Sequence, residues 1–153
     1  MLDFVSKFTS TKIEFVKINN KYFLKDEQLA KHKLPDKEKY FGLYLGEDVN
    51  DQFVPSFGLL DWLSDHSKEK VFVKDIGEMD FLYGKPLRAR HVDHVEGETK
   101  IGFLKLIQNI NDENLGYGKI VGDFTKTEQV IKPRMDRGLF LKREKLFNKK
   151  IKT

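Results

Sequence analysis

The chain of 153 residues carries 28 Lys+Arg against 24 Asp+Glu, a net charge of +4, with four histidines and no cysteine. That length holds one or two small domains, and without cysteine neither a disulfide framework nor a thiolate metal site can form, so a reducing, cytoplasmic setting is expected. Thirteen Phe, five Tyr and one Trp supply a core, while no stretch approaches the roughly 20 apolar residues of a membrane helix and the N-terminus lacks the apolar run of a signal peptide.

In chain order, Leu2, Val5 and Phe8 recur in steps of three and predict a short helix packed on one face. Ile13, Phe15, Val16 and Ile18, then Asn19-Asn20-Lys21, then Tyr22-Phe23-Leu24 read as a hairpin, because Asn tolerates the positive φ that a tight turn demands. Asp26 to Lys31 suits a second short helix with acids in its first turn, and Pro35-Asp36 a turn. Tyr40 to Leu45 reads as a buried strand and Gly46 to Asp51 as an exposed acidic loop. Ser56 is placed to cap a helix through Leu60, Trp62 and Leu63 to about His66, with Asp61 and Asp65 on its polar side.

After Lys70 the texture turns to β. Val71-Phe72-Val73, Gly102 to Ile107, Lys119-Ile120-Val121 and Leu139-Phe140-Leu141 are short apolar runs. Eight of the eleven glycines fall among them, a spacing suited to a compact barrel of short strands. The domain boundary belongs near residues 66–70.

The net charge is unevenly placed. Residues 1–69 hold 10 basic and 12 acidic side chains, residues 70–125 hold 8 and 9, and residues 126–153 hold 10 and 3. All the excess positive charge therefore lies at the end of the chain, which points to a polyanionic partner or, more blandly, to a solvated Lys-rich tail.

Catalytic motifs are lacking. Gly116-Tyr117-Gly118-Lys119 has neither P-loop spacing nor the dinucleotide fingerprint, since Gly122 comes one residue too late for its third glycine. In His91-Val92-Asp93-His94 a strand would turn His91 and Asp93 one way and His94 the other, so surface histidines are expected rather than a metal site. Pro55-Ser56-Phe57-Gly58 is a helix cap rather than a nucleophile elbow, and the acid pairs Glu78/Asp80 and Glu96/Glu98 sit in polar stretches. The basic residues make a stronger pattern. Lys85, Arg88 and Arg90 flank an extended stretch, Arg88 and Arg90 sharing a face by the two-residue period, and Lys132, Arg134, Arg137 and the C-terminal cations follow. Tyr83 and Tyr117 are candidate stacking platforms, although an aromatic in a barrel more often belongs to its core.

From about Phe53 to Glu144 the chain resembles the ribosome-biogenesis factors of the Nip-seven family. The resemblance is carried in order by Phe57-x-x-Leu60-Asp61-x-Leu63, Lys70-Val71-x-Val73-Lys74, Glu78-x-x-Phe81-Leu82-Tyr83-Gly84, Leu115-Gly116-Tyr117-Gly118 and Asp136-x-Gly138-x-x-Leu141-Lys142-Arg143-Glu144. It implies an α+β protein: a small N-terminal α/β domain over residues 1–66, a PUA-like β pseudo-barrel over 67–145 and a basic tail over 146–153. The RNA-binding surface it implies includes Tyr83, Lys85, Arg88 and Arg90 on one side and Lys142 and Arg143 on the other, with Lys145 and Lys149 extending it. The tail is either a helix docked through Leu146, Phe147 and Ile151 or a polycation that orders on RNA.

The resemblance implies a non-enzymatic, monomeric RNA-binding protein of ribosome assembly. It needs no cofactor or metal, its partners are ribosomal precursor RNA and, through the N-terminal domain, assembly proteins, and it has no membrane association. The alternatives are a protein-interaction adaptor and an accessory subunit of an RNA-modifying enzyme.

Overall fold

The computed structural model describes residues 1–25, 42–126 and 128–138. The expected helix at Asp26 to Lys31, the Pro35-Asp36 turn and the Leu139-Phe140-Leu141 run lie outside them. The chain divides after His66 into two compact units.

In the first unit, α1 (Leu2–Ser6) is followed by β1 (Phe15–Ile18), β2 (Lys21–Leu24), β3 (Tyr44–Val49), β4 (Gln52–Pro55) and α2 (Phe57–His66), the strands forming one sheet in the order β1-β2-β3-β4. The β1–β2 turn falls where expected, Asn19 taking φ 55°. Val5 and Phe8 are buried, but Leu2 is 55% exposed, so α1 buries only the C-terminal part of its apolar row. A run of rings ties it to the sheet: Phe8 meets Phe4 at 5.2 Å, Phe4 meets Phe53 at 5.6 Å, Phe53 meets Tyr22 edge-on at 5.5 Å and Tyr22 meets Phe15 at 5.6 Å. Tilted and edge contacts of this kind are favoured by the ring quadrupoles.

Of the strand expected at Tyr40 to Leu45, Tyr40 and Phe41 lie outside the described residues; β3 takes in Tyr44 and Leu45 and runs on to Val49, so the start of the expected acidic loop is strand. Strand β3 is hydrogen-bonded on both sides, by β2 and β4, and Asp48 takes the Tyr22 hydroxyl at 2.8 Å and the Lys17 ammonium at 3.1 Å. The turn comes later, at Asn50-Asp51, where φ values of 50° and 63° make a two-residue connection between Val49 and Gln52. Ser56 caps α2 as expected, its hydroxyl accepting the Leu59 N–H at 3.1 Å. Leu59, Leu60 and Leu63 are fully buried, while Asp61 and Asp65 face solvent.

The second unit runs β5 (Lys70–Val73), α3 (Asp75–Leu82), β6 (Leu87–Arg88), a 3₁₀ turn (Ala89–His91), β7 (Val92–Glu96), β8 (Leu104–Gln108), β9 (Asn114–Ile120) and β10 (Gln129–Asp136). The six strands form one sheet in the order β6-β10-β9-β8-β5-β7, with β5 and β8 parallel and the other neighbours antiparallel. Three of the apolar runs expected after Lys70 form β5 and parts of β8 and β9. Strands β7 and β10 escaped that pattern because polar residues interrupt them and Pro133, which lacks an N–H, sits at an irregularity of register in β10.

Helix α3 packs Phe81 into the concave side of the sheet, among Val71, Val73, Leu87, Ile107 and Ile131, all fully buried. Burying a Phe side chain contributes about 2–3 kcal/mol, so α3 is held by packing rather than by helix propensity. Asp75 and Glu78 in its first turn complement the helix dipole.

Candidate nucleic-acid interface

Helix α3 stops by a Schellman arrangement. The Gly84 N–H donates to the Phe81 carbonyl and the Lys85 N–H to the Asp80 carbonyl, both at 2.9 Å, with Gly84 at φ 74°. Tyr83 is the half-buried C-cap, and Lys85 leaves the helix exposed. Gly138 passes against the Leu82 backbone carbonyl so closely that a Cβ has no room there. The fold thus brings Glu78 to Gly84 and Asp136 to Gly138, distant in sequence, to one place at the end of α3.

Arg88 and Arg90 are both exposed, but not by the expected alternation. Arg88 is in β6 opposite Gln129, and Arg90 is in the 3₁₀ turn. That turn is built on His91, which is 2% exposed; the expectation of surface histidines holds for His94 and fails for His91. The Arg88 N–H donates to His91 Nδ1 at 3.0 Å, and the His91 carbonyl accepts the Lys74 N–H at 2.9 Å. With Nδ1 an acceptor, the neutral ring carries its proton on Nε2, which faces Asp80 Oδ2 at 3.3 Å. Burial pushes the His91 pKa down, partly opposed by Asp80 and aided by Arg90 and Arg88. His91 is thus a positioning residue for the two arginines, visible only once α3 is packed on the turn. His94 instead lies flat on Phe72, ring centres 4.2 Å apart, with Nδ1 2.7 Å from Asp93.

Two lysines are withdrawn from any binding role. Lys105 is fully buried, its ammonium donating to Glu69 Oε2 at 2.8 Å, to the Glu98 carbonyl at 2.9 Å and to the Glu96 carbonyl. Lys70 donates to both Asp112 carboxylate oxygens, at 3.0 and 3.1 Å. By contrast Lys85, Arg88, Arg90, Lys119, Lys132 and Arg134 have no acidic partner within 4.0 Å among the described residues. Sequence reasoning passed over Lys119 and gave Lys132 and Arg134 no specific place; their signal is the two-residue spacing, with half-buried Lys119 between buried Gly118 and Ile120 on β9 and exposed Lys132 and Arg134 on either side of Pro133 on β10. Tyr117 is half-buried on β9, where burial pushes its hydroxyl pKa up and Arg134 partly offsets this. Lys142, Arg143, Lys145 and Lys149 lie outside the described residues. Among the described residues no three His, Asp or Glu side chains converge as a metal site, and no helix is long and apolar enough to cross a membrane.

Comparison with known proteins gives this surface a context. A stretch of 59 residues is 36% identical to the 60S ribosome subunit biogenesis protein nip7 of Schizosaccharomyces pombe, covering 39% of this chain and 33% of that one. Over 116 residues it is 30% identical to a UPF0113 protein of Archaeoglobus fulgidus, covering 71% of this chain and 64% of that one. The chain therefore spans one third to just under two thirds of these relatives. In fold it is similar to a conserved PUA domain protein from Thermoplasma acidophilum, with a TM-score of 0.58 and 16% identity over 93% of this chain and 89% of that one. A PUA domain from Aeropyrum pernix gives a TM-score of 0.54 at 16% identity over 65% of this chain and 60% of that one. Residues 69–145, half of the chain, match the UPF0113 PUA domain itself. The six-stranded sheet with α3 in its concavity is thus a PUA domain, and the chain belongs to the UPF0113 PUA domain family.

Proposed function

We propose that this protein is a non-enzymatic RNA-binding factor of ribosome assembly, which holds ribosomal precursor RNA through its PUA unit and assembly proteins through its first unit. The observation that carries the reading is the group Lys85, Arg88 and Arg90, exposed beside the end of α3 with no acidic partner among the described residues. Guanidinium groups bind phosphate by two parallel hydrogen bonds and stack on bases, and lysines add mobile point charges. Tyr83 lies beside them. Lys142 and Arg143 follow four and five residues after Gly138, which packs on the same helix end, and Lys145 and Lys149 continue the basic run. The relative named for 60S subunit biogenesis supports the assembly role.

Five or six phosphate contacts to a single strand give a slope of log K against log salt of roughly −4. Fluorescence anisotropy with labelled ribosomal RNA fragments tests this in the full chain. Replacing Lys142→Ala with Arg143→Ala is expected to weaken binding and flatten the slope; unchanged affinity with the fold intact excludes those residues from the surface. Crosslinking in cells followed by sequencing is expected to recover ribosomal precursor RNA, and recovery of random messenger RNA removes the assembly role. Protein capture that survives nuclease, with no RNA bound at low salt, establishes an adaptor instead. Co-purification with an RNA-modifying enzyme identifies an accessory subunit.

A further inference from the structure

Lys119 of β9 and Lys132 of β10 are registered directly opposite one another. Residues so placed in an antiparallel pair bring their Cβ atoms to about 4.5–5.5 Å, and like charges there oppose strand pairing. Neither lysine has an acidic partner among the described residues to relieve the repulsion. The pair projects from the face away from the core of the PUA unit. Ile131 and Ile120, one step along the same ladder, are registered with each other and fully buried in that core, so their neighbours Lys132 and Lys119 point the other way.

The same reasoning adds a third strand. Leu87 is registered with Ile131 and fully buried, which turns its neighbour Arg88 to the far side as well. Exposed Arg134 follows Lys132 by two residues, at the irregularity between Pro133 and Met135. Its charge acts on the Tyr117 hydroxyl, and Tyr117 stands two residues before Lys119 on the same face of β9. Four cations and one half-buried ring therefore occupy three adjacent strands, which span about 10 Å across the strand direction.

We infer that this face of β6, β10 and β9 is a track for the backbone of single-stranded RNA. Phosphate oxygens bridge Lys119 and Lys132, Arg134 grips a neighbouring phosphate, and the Tyr117 ring receives a base. Sequence-tolerant single-strand binding combines these elements, a row of cations and an aromatic face. The track is continuous with the group at the end of α3 through Arg88, and the inference rests on the RNA-binding reading above.

The test uses the full chain and a labelled 12-nucleotide uridine-rich RNA, with anisotropy measured over a range of salt. Removing two phosphate contacts through Lys119→Ala with Lys132→Ala is expected to reduce the magnitude of the salt slope by about 1.4 and to weaken binding about tenfold. Lys132 is exposed and Lys119 half-buried on the face away from the core, and their like charges oppose each other, so the thermal midpoint is expected to stay level or rise. Lys132→Glu alone, which introduces repulsion toward phosphate, is expected to weaken binding in the same way. Unchanged affinity and slope in both variants, while Lys85→Ala with Arg90→Ala weakens binding, overturn the track and leave the RNA reading standing. No RNA binding by the unaltered chain at low salt overturns both.

Discussion

His91 Nε2 stands 3.3 Å from Asp80 Oδ2, while its Nδ1 accepts the Arg88 N–H at 3.0 Å. One ring thereby joins α3 to the turn that displays Arg88 and Arg90, with almost no exposure of its own.

This gives the PUA unit a dependence on mild acid. Burial lowers the His91 pKa in the folded state below its unfolded value, so between those two values the unfolded chain binds more protons. Stability contributed by neutral His91 is complete above about pH 6.5 and is lost as pH falls below it. Thermal unfolding followed from pH 7.5 to 5 is expected to show a falling midpoint, and His91→Gln, which cannot charge, is expected to flatten the fall. A midpoint equally pH-dependent in both proteins assigns the effect to other groups.

Lys105 tests the opposite case, a buried charge with every ammonium hydrogen engaged. Lys105→Met leaves Glu69 without its cation and the Glu96 and Glu98 carbonyls without their donor. Breaking such a buried pair from one side costs about 3 kcal/mol. Urea denaturation is expected to show that loss, whereas exchange of the exposed Lys126 is expected to leave the midpoint in place.

At the end of α3, Gly84→Ala forces a side chain into φ 74° and is expected to cost about 1–2 kcal/mol. Gly138→Ala meets the Leu82 carbonyl instead, a backbone atom that cannot rotate away. About 2 kcal/mol or more is expected there, so denaturant midpoints are expected to place Gly138→Ala below Gly84→Ala and both below the unaltered chain.

Lys119→Glu converts the like-charged pair with Lys132 into an attractive one. A gain of about 0.2–1 kcal/mol is expected, read as a rise of the thermal midpoint at low salt that shrinks as salt screens the pair. If RNA affinity falls as the midpoint rises, the repulsion is a stability cost of binding.

Local chemistry was legible before any fold was known. The Asn19-Asn20 turn and the Ser56 cap depend on neighbours a few residues away, and each formed where the residues indicated. The Asn50-Asp51 turn was missed for a related reason: the acids before it looked like loop, and only pairing with β2 and β4 made Glu47 and Asp48 strand residues. The site was less legible than the fold. Tyr83, Lys85, Arg88 and Arg90 could be named from residue type and resemblance, but His91 looked like a surface residue because its burial depends on α3, and the partners of Lys105 lie 36, 9 and 7 residues away.

By itself the sequence determined composition, the displaced positive charge, the short-range turns and caps, and the ordered motifs of its family. Only the tertiary structure decided which cations face outward. Lys70, Lys105, Lys119 and Lys132 are the same side chain, yet the first two are engaged by carboxylates and the last two oppose each other on an outer face. That difference comes from strand register, set by the burial of Ile120, Ile131 and Leu87 on one side of the sheet, which leaves their neighbours to the other side.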